Sequence, residues 1–451
     1  MKSSQTKHYL FLMFISFILF SLSACQKDSD TDSELIKILN NISNGKGLEY
    51  FVLPDASNVS EIPQDPKNPL TPEKIQLGKL LYHETGLGRN PKMQANFMTY
   101  SCASCHHVDA EFQAGIAQGL GECAEGFGVA GEKRKPMSGV PDSLVDCQSI
   151  RSPTVLNVAY QELMLWNGQF GAVGKNVGTE KQWLAGTPKE KNKLGFHGVE
   201  TQAIAGLDVH RLKIDKDFLS QYKLYKDLFN AAFPDVPESD RMNAVNAGMA
   251  IAAYERTIVA NQAPFQRWLR GDQDAMTEME KQGAVLFFTK GECYKCHTGP
   301  ALNSMEFYAL GMNDLLNGVY GTINSPASKS EHKGRGGFTG KEEDMYKFKV
   351  PQLYNLKGVR FLGHGSQFKS VKDVLEYKNK AVPSNPNVPV LKLAEEFVPL
   401  NLSDEEIEKI LVFIEFGLYD PDLQRYVPKT LQTGLCFPNN DPQSRKDKGC
   451  Q

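Results

Sequence analysis

The sequence predicts a mainly α-helical protein made of two similar domains that pack face to face and carry long loops. Three observations support this prediction: alternating strand-like runs are scarce, several segments place apolar residues at helical spacing, and one sequence block occurs twice. The chain has 451 residues, of which 41% are apolar. This length is enough for about two to three domains with buried cores. The composition excludes a disordered or fibrous protein.

Helical segments can be assigned in chain order from apolar spacing and capping residues. Apolar residues recur at near-helical spacing over residues 75–81, and a longer helix with an apolar face is expected over 243–259. Ser403 and Glu406 have the spacing of a capping box, which predicts the start of a further helix. Gly417 is suited to end that helix.

An internal repeat indicates that the two domains are related. The block Ser152–Asn157 resembles the block Val350–Asn355. Trp166 and His364 stand at the same distance after the proline of each block. Matching blocks at matching spacing are typical of a duplicated unit, so we expect two domains of common descent with a boundary near Gly271.

The N-terminus has the features of an export signal. Lys2 and Lys7 precede an apolar run over residues 9–22. This run is shorter than the roughly 20 residues that span a bilayer. Residues 22–25 read Leu-Ser-Ala-Cys, which resembles a bacterial lipobox and implies cleavage before Cys25 with lipid on its thiol. Plain secretion with a chance cysteine is the alternative. We therefore predict a periplasmic protein held at a bacterial membrane by a lipid anchor, with the outer membrane favoured.

Two copies of the motif Cys-x-x-Cys-His indicate the chemistry. In a c-type haem site the two thiols attach the haem and the adjacent histidine becomes the proximal iron ligand. A redox disulfide does not need the trailing histidine, and a zinc site would need four ligands. The sequence therefore predicts two haem c groups with His106 and His297 as proximal ligands. The expected attachment cysteines are Cys102, Cys105, Cys293 and Cys296.

Four further cysteines are expected to form structural disulfides in an exported protein. Proximity in the chain favours the pairs Cys123–Cys147 and Cys436–Cys450. Loops of this size contribute about 3 kcal/mol each in the chain-entropy model. The predicted organisation is a lipoprotein signal peptide over 1–24, a tether over 25–71, haem domains over 72–270 and 271–430, and a disulfide-closed tail over 431–451.

Around these motifs, the sequence resembles the bacterial di-haem cytochrome c peroxidase family, which includes the MauG-type protein oxidases. The resemblance runs from about residue 72 to 427, with its blocks in order and at the family's spacing. It implies two cytochrome c-like haem domains, of which the N-terminal one splits peroxide and the C-terminal one receives electrons. The blocks that carry it are Leu77–Tyr82, Arg151–Asn157, Leu165–Gly168, Gly283–His297 and Phe348–Pro351.

The resemblance also assigns roles to residues of the peroxide site. Trp166 matches a tryptophan that relays electrons between the haems, although core packing alone would also explain it. Gln202 matches a glutamine beside the peroxide. Where the family has a glutamate, a gapped match places His210, whose ordinary pKa suits proton transfer near neutral pH. The alternative is a histidine at the surface or at a haem propionate. Arg211 is expected to hold a propionate or to support the departing oxygen.

The loop before Arg151 departs from many peroxidases of the family. In those proteins a loop histidine caps the N-terminal haem until the other haem is reduced. Between Cys105 and Arg151 this chain has only His106 and His107, and His107 is fixed beside the proximal ligand. We therefore expect an N-terminal haem that is open without reductive activation, as in the MauG type.

Two further positions depart from the family in their metal-binding residues. In the C-terminal domain, His364 matches a histidine of the haem site. Lys378 stands where the family has a methionine or tyrosine as sixth iron ligand, with Tyr377 beside it. Lysine binds iron only when it is deprotonated, which burial favours; a solvated lysine is the alternative.

Arg151 replaces the asparagine of an inter-haem calcium site, and because a guanidinium repels a cation, calcium is not favoured.

The expected function is reduction of hydrogen peroxide to water with electrons from a small cytochrome c or cupredoxin. Two alternatives are a MauG-like oxidase that modifies a partner protein and a non-catalytic di-haem electron carrier. The 50 Lys and Arg residues are balanced by 53 Asp and Glu residues, which argues against nucleic acid as a partner. A homodimer is one of the assemblies that the resemblance allows.

Overall fold

The computed structural model describes residues 30–450, and this part of the chain is mainly helical. Strands are confined there to two short antiparallel pairs, β1 (Ala124–Glu125) with β2 (Lys135–Pro136) and β3 (Phe307–Tyr308) with β4 (Phe348–Lys349). Short 3-10 helices and long loops connect the α-helices. The α-helices are α1 (30–42), α2 (Pro72–His83), α3 (Gly198–Val209), α4 (Lys216–Leu219), α5 (Lys223–Ala232), α6 (Glu238–Arg241), α7 (Ala244–Arg256), α8 (Pro264–Leu269), α9 (Glu278–Phe287), α10 (Gly334–Thr339), α11 (Val371–Lys380), α12 (Asp404–Val412) and α13 (Pro442–Lys448).

In the N-terminal half, α7 is the central helix, and α2 and α3 both pack against it. Helix α2 begins where the Thr71 side chain accepts a hydrogen bond from Lys74 N, with Pro72 in the first turn. It crosses α7 at Gly78, where an added Cβ would lie 1.8 Å from the carbonyl oxygen of Ala250. Only glycine permits this close approach. Helices α2 and α7 confirm the helices predicted over 75–81 and 243–259.

In the C-terminal half, α9 and α12 pack against each other in a similar way. An added Cβ at Gly283 would lie 2.0 Å from the carbonyl oxygen of Lys409, so glycine again marks the crossing. The predicted capping box is present, since Ser403 and Glu406 each accept a hydrogen bond from the other's backbone N–H. A short π-helix, Phe413–Gly417, continues α12 and ends at Gly417, as expected.

The sequence repeat corresponds to a structural repeat. Asn157 and Asn355, which end the repeated blocks, both have left-handed backbone conformations, with φ values of 59° and 56°. After them, one isolated β-bridge joins Met164 to Phe170, and an equivalent bridge joins Leu362 to Phe368. In each half, the segment that follows the Cys-x-x-Cys-His motif therefore has the same local backbone structure. This confirms the predicted mainly α class with two similar haem-type domains.

Residues 30–71 are part of the folded body, so the prediction of a free tether is wrong for this segment. Leu35, Leu39 and Phe51 are fully buried. Asp32 accepts hydrogen bonds from Trp268 Nε1 at 2.8 Å and from Lys281 Nζ at 3.0 Å. Apolar burial and this buried polar contact hold the segment against α8 and α9. Among residues 30–450, no helix is both long and apolar enough to cross a bilayer. The predicted signal peptide and Cys25 lie outside the described residues.

Of the two predicted disulfides, the structure contains the one between Cys436 and Cys450, whose Cα atoms are 5.9 Å apart. The predicted Cys123–Cys147 disulfide is not formed, and both thiols are free. The reason is the backbone register, because Cys147 pairs with Leu120 across an antiparallel bridge. Cys123 lies three residues farther along the chain, outside this bridge, and its Sγ is 3.7 Å from Glu122 Oε1, whereas Cys147 Sγ is 3.8 Å from the carbonyl oxygen of Ile323.

Candidate functional site

The second Cys-x-x-Cys-His motif lies beside a cavity of about 280 Å³ with mainly apolar walls. His297 Nδ1 is 3.1 Å from the carbonyl oxygens of both Leu302 and Pro351. Because carbonyl oxygens only accept, Nδ1 must carry the proton, which leaves Nε2 free to bind a metal. Burial lowers the pKa of His297 to about 4, so the ring is neutral. The cavity, its thiols and this histidine fit a haem c with His297 as proximal ligand.

Lys378, the predicted sixth ligand, lines the same cavity from the end of α11. Its Nζ atom lies 5.1 Å from the centroid of the Phe397 ring. Burial lowers the pKa of Lys378, and the positive charge of Lys378 contributes to the lowered pKa of His297. Tyr377 does not line the cavity, and its hydroxyl donates to the carbonyl oxygen of Leu310 at 2.7 Å. Of the two adjacent residues, Lys378 is therefore the one placed to reach a haem in this cavity.

Trp166 comes from the N-terminal half and forms part of the wall of this C-terminal cavity. Its Nε1 donates to the carbonyl oxygen of Arg151 at 2.9 Å, which fixes the indole. The ring centroid is 6.3 Å from that of His364, which stacks on Phe348 at 3.6 Å. His364 Nε2 lies 3.2 Å from a carboxylate oxygen of Asp314. The predicted relay residue thus lies between the halves, in contact with the predicted His364.

Arg151, which stands where the family has the asparagine of its inter-haem calcium site, is a buried side chain. Its guanidinium donates to the carbonyl oxygen of Ile116 at 3.1 Å and to Gln113 Oε1 at 2.8 Å. Burial lowers its pKa to about 9. The Arg151 guanidinium therefore fills this position between the halves and places a positive charge there.

The first Cys-x-x-Cys-His motif has a buried histidine with an unused ring atom. His106 Nδ1 is buried without a hydrogen-bond partner within bonding distance, and the backbone carbonyls of Pro153 and Phe112 act to raise its pKa. Burial, with a smaller contribution from the charge of His210, lowers the pKa of His106 to about 4. Burial also raises the pKa of the Cys105 thiol to about 12. These neutral groups suit thioether attachment and iron ligation.

Helix α3 carries Gln202, and His210 caps its C-terminal end; the sequence assigned both residues to the peroxide site. An added Cβ at Gly206, midway between them, would lie 3.8 Å from Gln202 Nε2 and 3.9 Å from His210 Cδ2. Both side chains therefore lie on one face of α3, separated by a residue with no side chain. Gln202 Oε1 is buried without a partner. This unpartnered amide oxygen is suited to bind a small polar ligand on the same face as His210.

Sequence reasoning missed two buried acids that contact the end of α3. His210 Nδ1 lies 2.9 Å from Asp146 Oδ2, and Arg211 pairs with the buried carboxylate of Glu122. Burial alone would lower the pKa of His210, but the Asp146 carboxylate outweighs it and raises this pKa above its ordinary value. Both acids directly precede a cysteine, Cys123 or Cys147, and that repeated Glu/Asp-Cys pattern was the available signal.

Lys349 is a further buried cation that sequence reasoning did not assign. It lines the second cavity, and its backbone N–H donates to the carbonyl oxygen of Trp166 at 2.7 Å. Its Nζ donates to Gln161 Oε1 and to the carbonyl oxygen of Leu163. Burial lowers its pKa to about 7. Through these hydrogen bonds, Lys349 connects β4 to the part of the N-terminal half that contains Trp166.

Comparison with known proteins identifies similar chains. Residues 72–274 match the family model described as di-haem cytochrome c peroxidase. The methylamine utilization protein MauG of Methylorubrum extorquens is 27% identical over 357 residues, which are 78% of this chain and 80% of that protein. The cytochrome-c peroxidase IdrP1 of Pseudomonas sp. strain SCT is 25% identical over 382 residues, or 80% of this chain and 85% of that protein. A solved MauG-like protein associated with microbial copper homeostasis shares the fold, with a TM-score of 0.54, 22% identity and coverage of 82% of this chain and 95% of that chain.

Proposed function

We propose that this chain, identified by residues 72–274 as a member of the di-haem cytochrome c peroxidase family, reduces hydrogen peroxide to water. The family contains cytochrome c peroxidases and MauG-type oxidases, so the chain is an oxidoreductase of the di-haem type. The proposed reaction consumes one hydrogen peroxide, two protons and two electrons and yields two waters. The observation that carries the proposal is the placement of Gln202 and His210 on one face of α3, with His210 close enough to His106 to influence its pKa.

The protein would hold one haem c at each Cys-x-x-Cys-His motif, with thioether bonds from both cysteines of each motif. When bound, the haems supply the redox chemistry of peroxide reduction. His106 and His297 would each present Nε2 to the iron, because Nδ1 of His297 is used by backbone carbonyls and the His106 ring is neutral. Lys378 lines the second haem cavity, and its amine, when neutral, would be available there as a further iron ligand.

Residues of α3 and of the turn that follows it would bind hydrogen peroxide and transfer its proton. His210 Nε2 takes a proton from one oxygen of hydrogen peroxide and returns it to the other oxygen, which leaves as water. Gln202 orients the peroxide through its amide, whose Oε1 has no protein partner. Arg211 is held by Glu122 at the end of α3 and supplies positive charge where negative charge develops on the departing oxygen.

Electrons would enter at the second haem from a small cytochrome c or cupredoxin and reach the first haem through Trp166. A fixed indole between the two halves supports this path, because its Nε1 hydrogen bond to Arg151 and its contact with His364 hold it in place. The sequence between Cys105 and Arg151 supports reaction without prior reduction of the second haem, because His106 and His107 are its only histidines. The same arrangement would serve a MauG-like oxidase, so the donor experiment below distinguishes the two reactions.

The proposed location is the periplasm, with a lipid on Cys25 as membrane anchor. This part of the proposal rests on the sequence of residues 1–25, where a charged start, an apolar run and a lipobox-like end occur in order. Metabolic labelling with a radioactive fatty acid would test it. Label in the wild-type protein that is lost in Cys25→Ser is expected, and an unlabelled wild-type protein would contradict the anchor.

The function is tested by mixing the oxidised protein with peroxide in a stopped-flow instrument, with and without reduced cytochrome c. We expect a fast change in haem absorbance and then oxidation of two cytochromes per peroxide. Because a general acid–base group contributes about 10²–10⁴-fold, His210→Ala should slow the first step at least about a hundredfold. His197→Ala, which removes an imidazole just before the start of α3, is the matched control and should react as the wild type does.

Two outcomes would contradict the proposed function. A loss of about tenfold or less in His210→Ala would remove His210 from the proton path. Fast haem changes without consumption of reduced cytochrome or cupredoxin would favour the oxidase. A pyridine haemochrome assay provides the cofactor control, since two haems per chain are expected and one or none would refute the di-haem assignment.

A further inference from the structure

Asp146 is a buried carboxylate whose position is fixed by the backbone on both sides. Its carbonyl oxygen accepts a hydrogen bond from Gly121 N at 2.8 Å, and its own N–H donates to the carbonyl oxygen of Glu122 at 3.0 Å. The Asp146 side chain is only 5% exposed. Its carboxylate reaches across the loop to His210 Nδ1 at 2.9 Å. Burying an unpaired carboxylate is costly. The contact with His210 Nδ1 offsets this cost, so the two side chains depend on each other.

We propose that Asp146 is a positioning residue that fixes the tautomer and orientation of His210, so that Nε2 is the atom that exchanges the proton with peroxide. This inference rests on the proposed function and names the residue on which His210 depends. A carboxylate can only accept, so His210 Nδ1 must donate to it and carry a proton. Nε2 is then the ring nitrogen left to accept and return a proton in the site.

The charges around this pair favour the ionised carboxylate. Burial would raise the pKa of Asp146, but the charge and hydrogen bond of His210, together with Arg211, hold it below its ordinary value. The charged and titratable groups that face His210 are Asp146 from the loop and Arg211 from its own chain end, with His106 across the haem site. Glu122 forms an ion pair with Arg211 and does not act on His210 directly. Asp146 is therefore the negative charge that acts directly on His210.

The carboxylate also makes His210 a stronger base. An opposite charge within hydrogen-bond distance stabilises the protonated form of a histidine and so raises its pKa. During the reaction, Nε2 of a neutral His210 gains the peroxide proton, and Asp146 stabilises the imidazolium that forms. The imidazolium then gives this proton to the departing oxygen, so neither His210 nor Asp146 changes its protonation state over one cycle.

The test compares Asp146→Asn with Asp142→Asn, which makes the same chemical change at an exposed position of the same loop. Two quantities are measured against pH: the rate of the absorbance change with peroxide and the dissociation constant of cyanide. Cyanide is informative because hydrogen cyanide must give its proton to a base as it binds. In the wild type, both curves should have a midpoint above the ordinary histidine pKa of about 6.5.

In Asp146→Asn, the midpoint should fall below that of the wild type, because the charge that raises the pKa of His210 is lost, and the rate at alkaline pH should fall at least about tenfold. Asp142→Asn should match the wild type in both. A purely structural role for Asp146 would lower the yield or the haem content without moving the midpoint, and that outcome overturns the proposal. If Asp146→Asn does not fold, the midpoint of the wild-type pH curves tests the proposal. A midpoint at or below about 6.5 would contradict it, because a histidine paired with a carboxylate should titrate above this value.

The outcomes also separate this inference from the proposed function. A slow His210→Ala variant beside an unaffected Asp146→Asn variant would refute the positioning role and leave the peroxidase proposal standing. An unaffected His210→Ala variant would refute the role of His210 in peroxide reduction itself.

Discussion

Helix α3, which carries Gln202 of the proposed peroxide site, is joined to α7 by a buried ion pair. Arg256 Nε donates to Glu200 Oε1 at 2.8 Å and Nη2 donates to Glu200 Oε2 at 2.7 Å. The two side chains are 1% and 0% exposed. Arg256 also donates to the carbonyl oxygens of Pro63 and Ala159, so its hydrogen bonds join four parts of the N-terminal half.

Arg256→Met should destabilise the N-terminal half by about 3–5 kcal/mol, because it leaves the Glu200 carboxylate buried without its partner. The double variant Arg256→Met/Glu200→Leu removes both charges, so it should recover much of this loss. Arg267→Met is the matched control, since Arg267 and its partner Asp272 are exposed and such a pair contributes about 0–1 kcal/mol.

The assay is urea unfolding of the haem-loaded protein, followed by circular dichroism and by absorbance of the first haem. A double variant that is as unstable as Arg256→Met would refute the reasoning, because the loss would then come from packing and not from an unpaired charge. So would a loss below about 1 kcal/mol in Arg256→Met, which is the range of a surface pair.

Three further predictions concern the haem sites. Lys378→Ala should alter the absorbance and electron paramagnetic resonance signals of the second haem mainly at alkaline pH, because the neutral amine that binds iron gains population as pH rises through its lowered pKa; identical spectra at all pH values would exclude ligation. Trp166→Phe should slow electron transfer between the haems and leave cyanide binding unchanged, whereas wild-type transfer rates would assign Trp166 to packing alone. The fully oxidised protein should show a high-spin signal from the first haem that cyanide removes without prior reduction, and two low-spin haems would show that the site is closed.

The features that sequence predicted well are those encoded by neighbouring residues. Each Cys-x-x-Cys-His motif is contiguous, and the capping box at Ser403 depends on residues three apart. The repeated blocks could be matched because duplication preserved their spacing, and Asn157 and Asn355 indeed share one backbone conformation. Local chemistry of this kind needs no knowledge of which distant segments meet.

The features that sequence missed depend on contacts between distant segments. Residues 30–71 looked like a tether because their prolines interrupt helices. In the structure Leu35 and Leu39 are buried, and Asp32 accepts hydrogen bonds from Trp268 and Lys281, more than 200 residues later. Asp146 and His210 are 64 residues apart in sequence, and no spacing rule brings a loop acid to the end of α3. Proximity in the chain likewise suggested a Cys123–Cys147 disulfide that the antiparallel register prevents.

The loop that carries Asp146 is nevertheless restrained, by polar contacts and not by the predicted disulfide. The buried Arg134 donates to the carbonyl oxygens of Leu120 and Gly121, just before Glu122, and pairs with Asp441 at 3.4 Å. Asp441 belongs to the C-terminal tail, which the Cys436–Cys450 disulfide closes. Because burying a guanidinium is costly without such partners, the loop and the tail stabilise each other. The disulfide that does form therefore supports, through Arg134, the loop that holds Asp146 against His210.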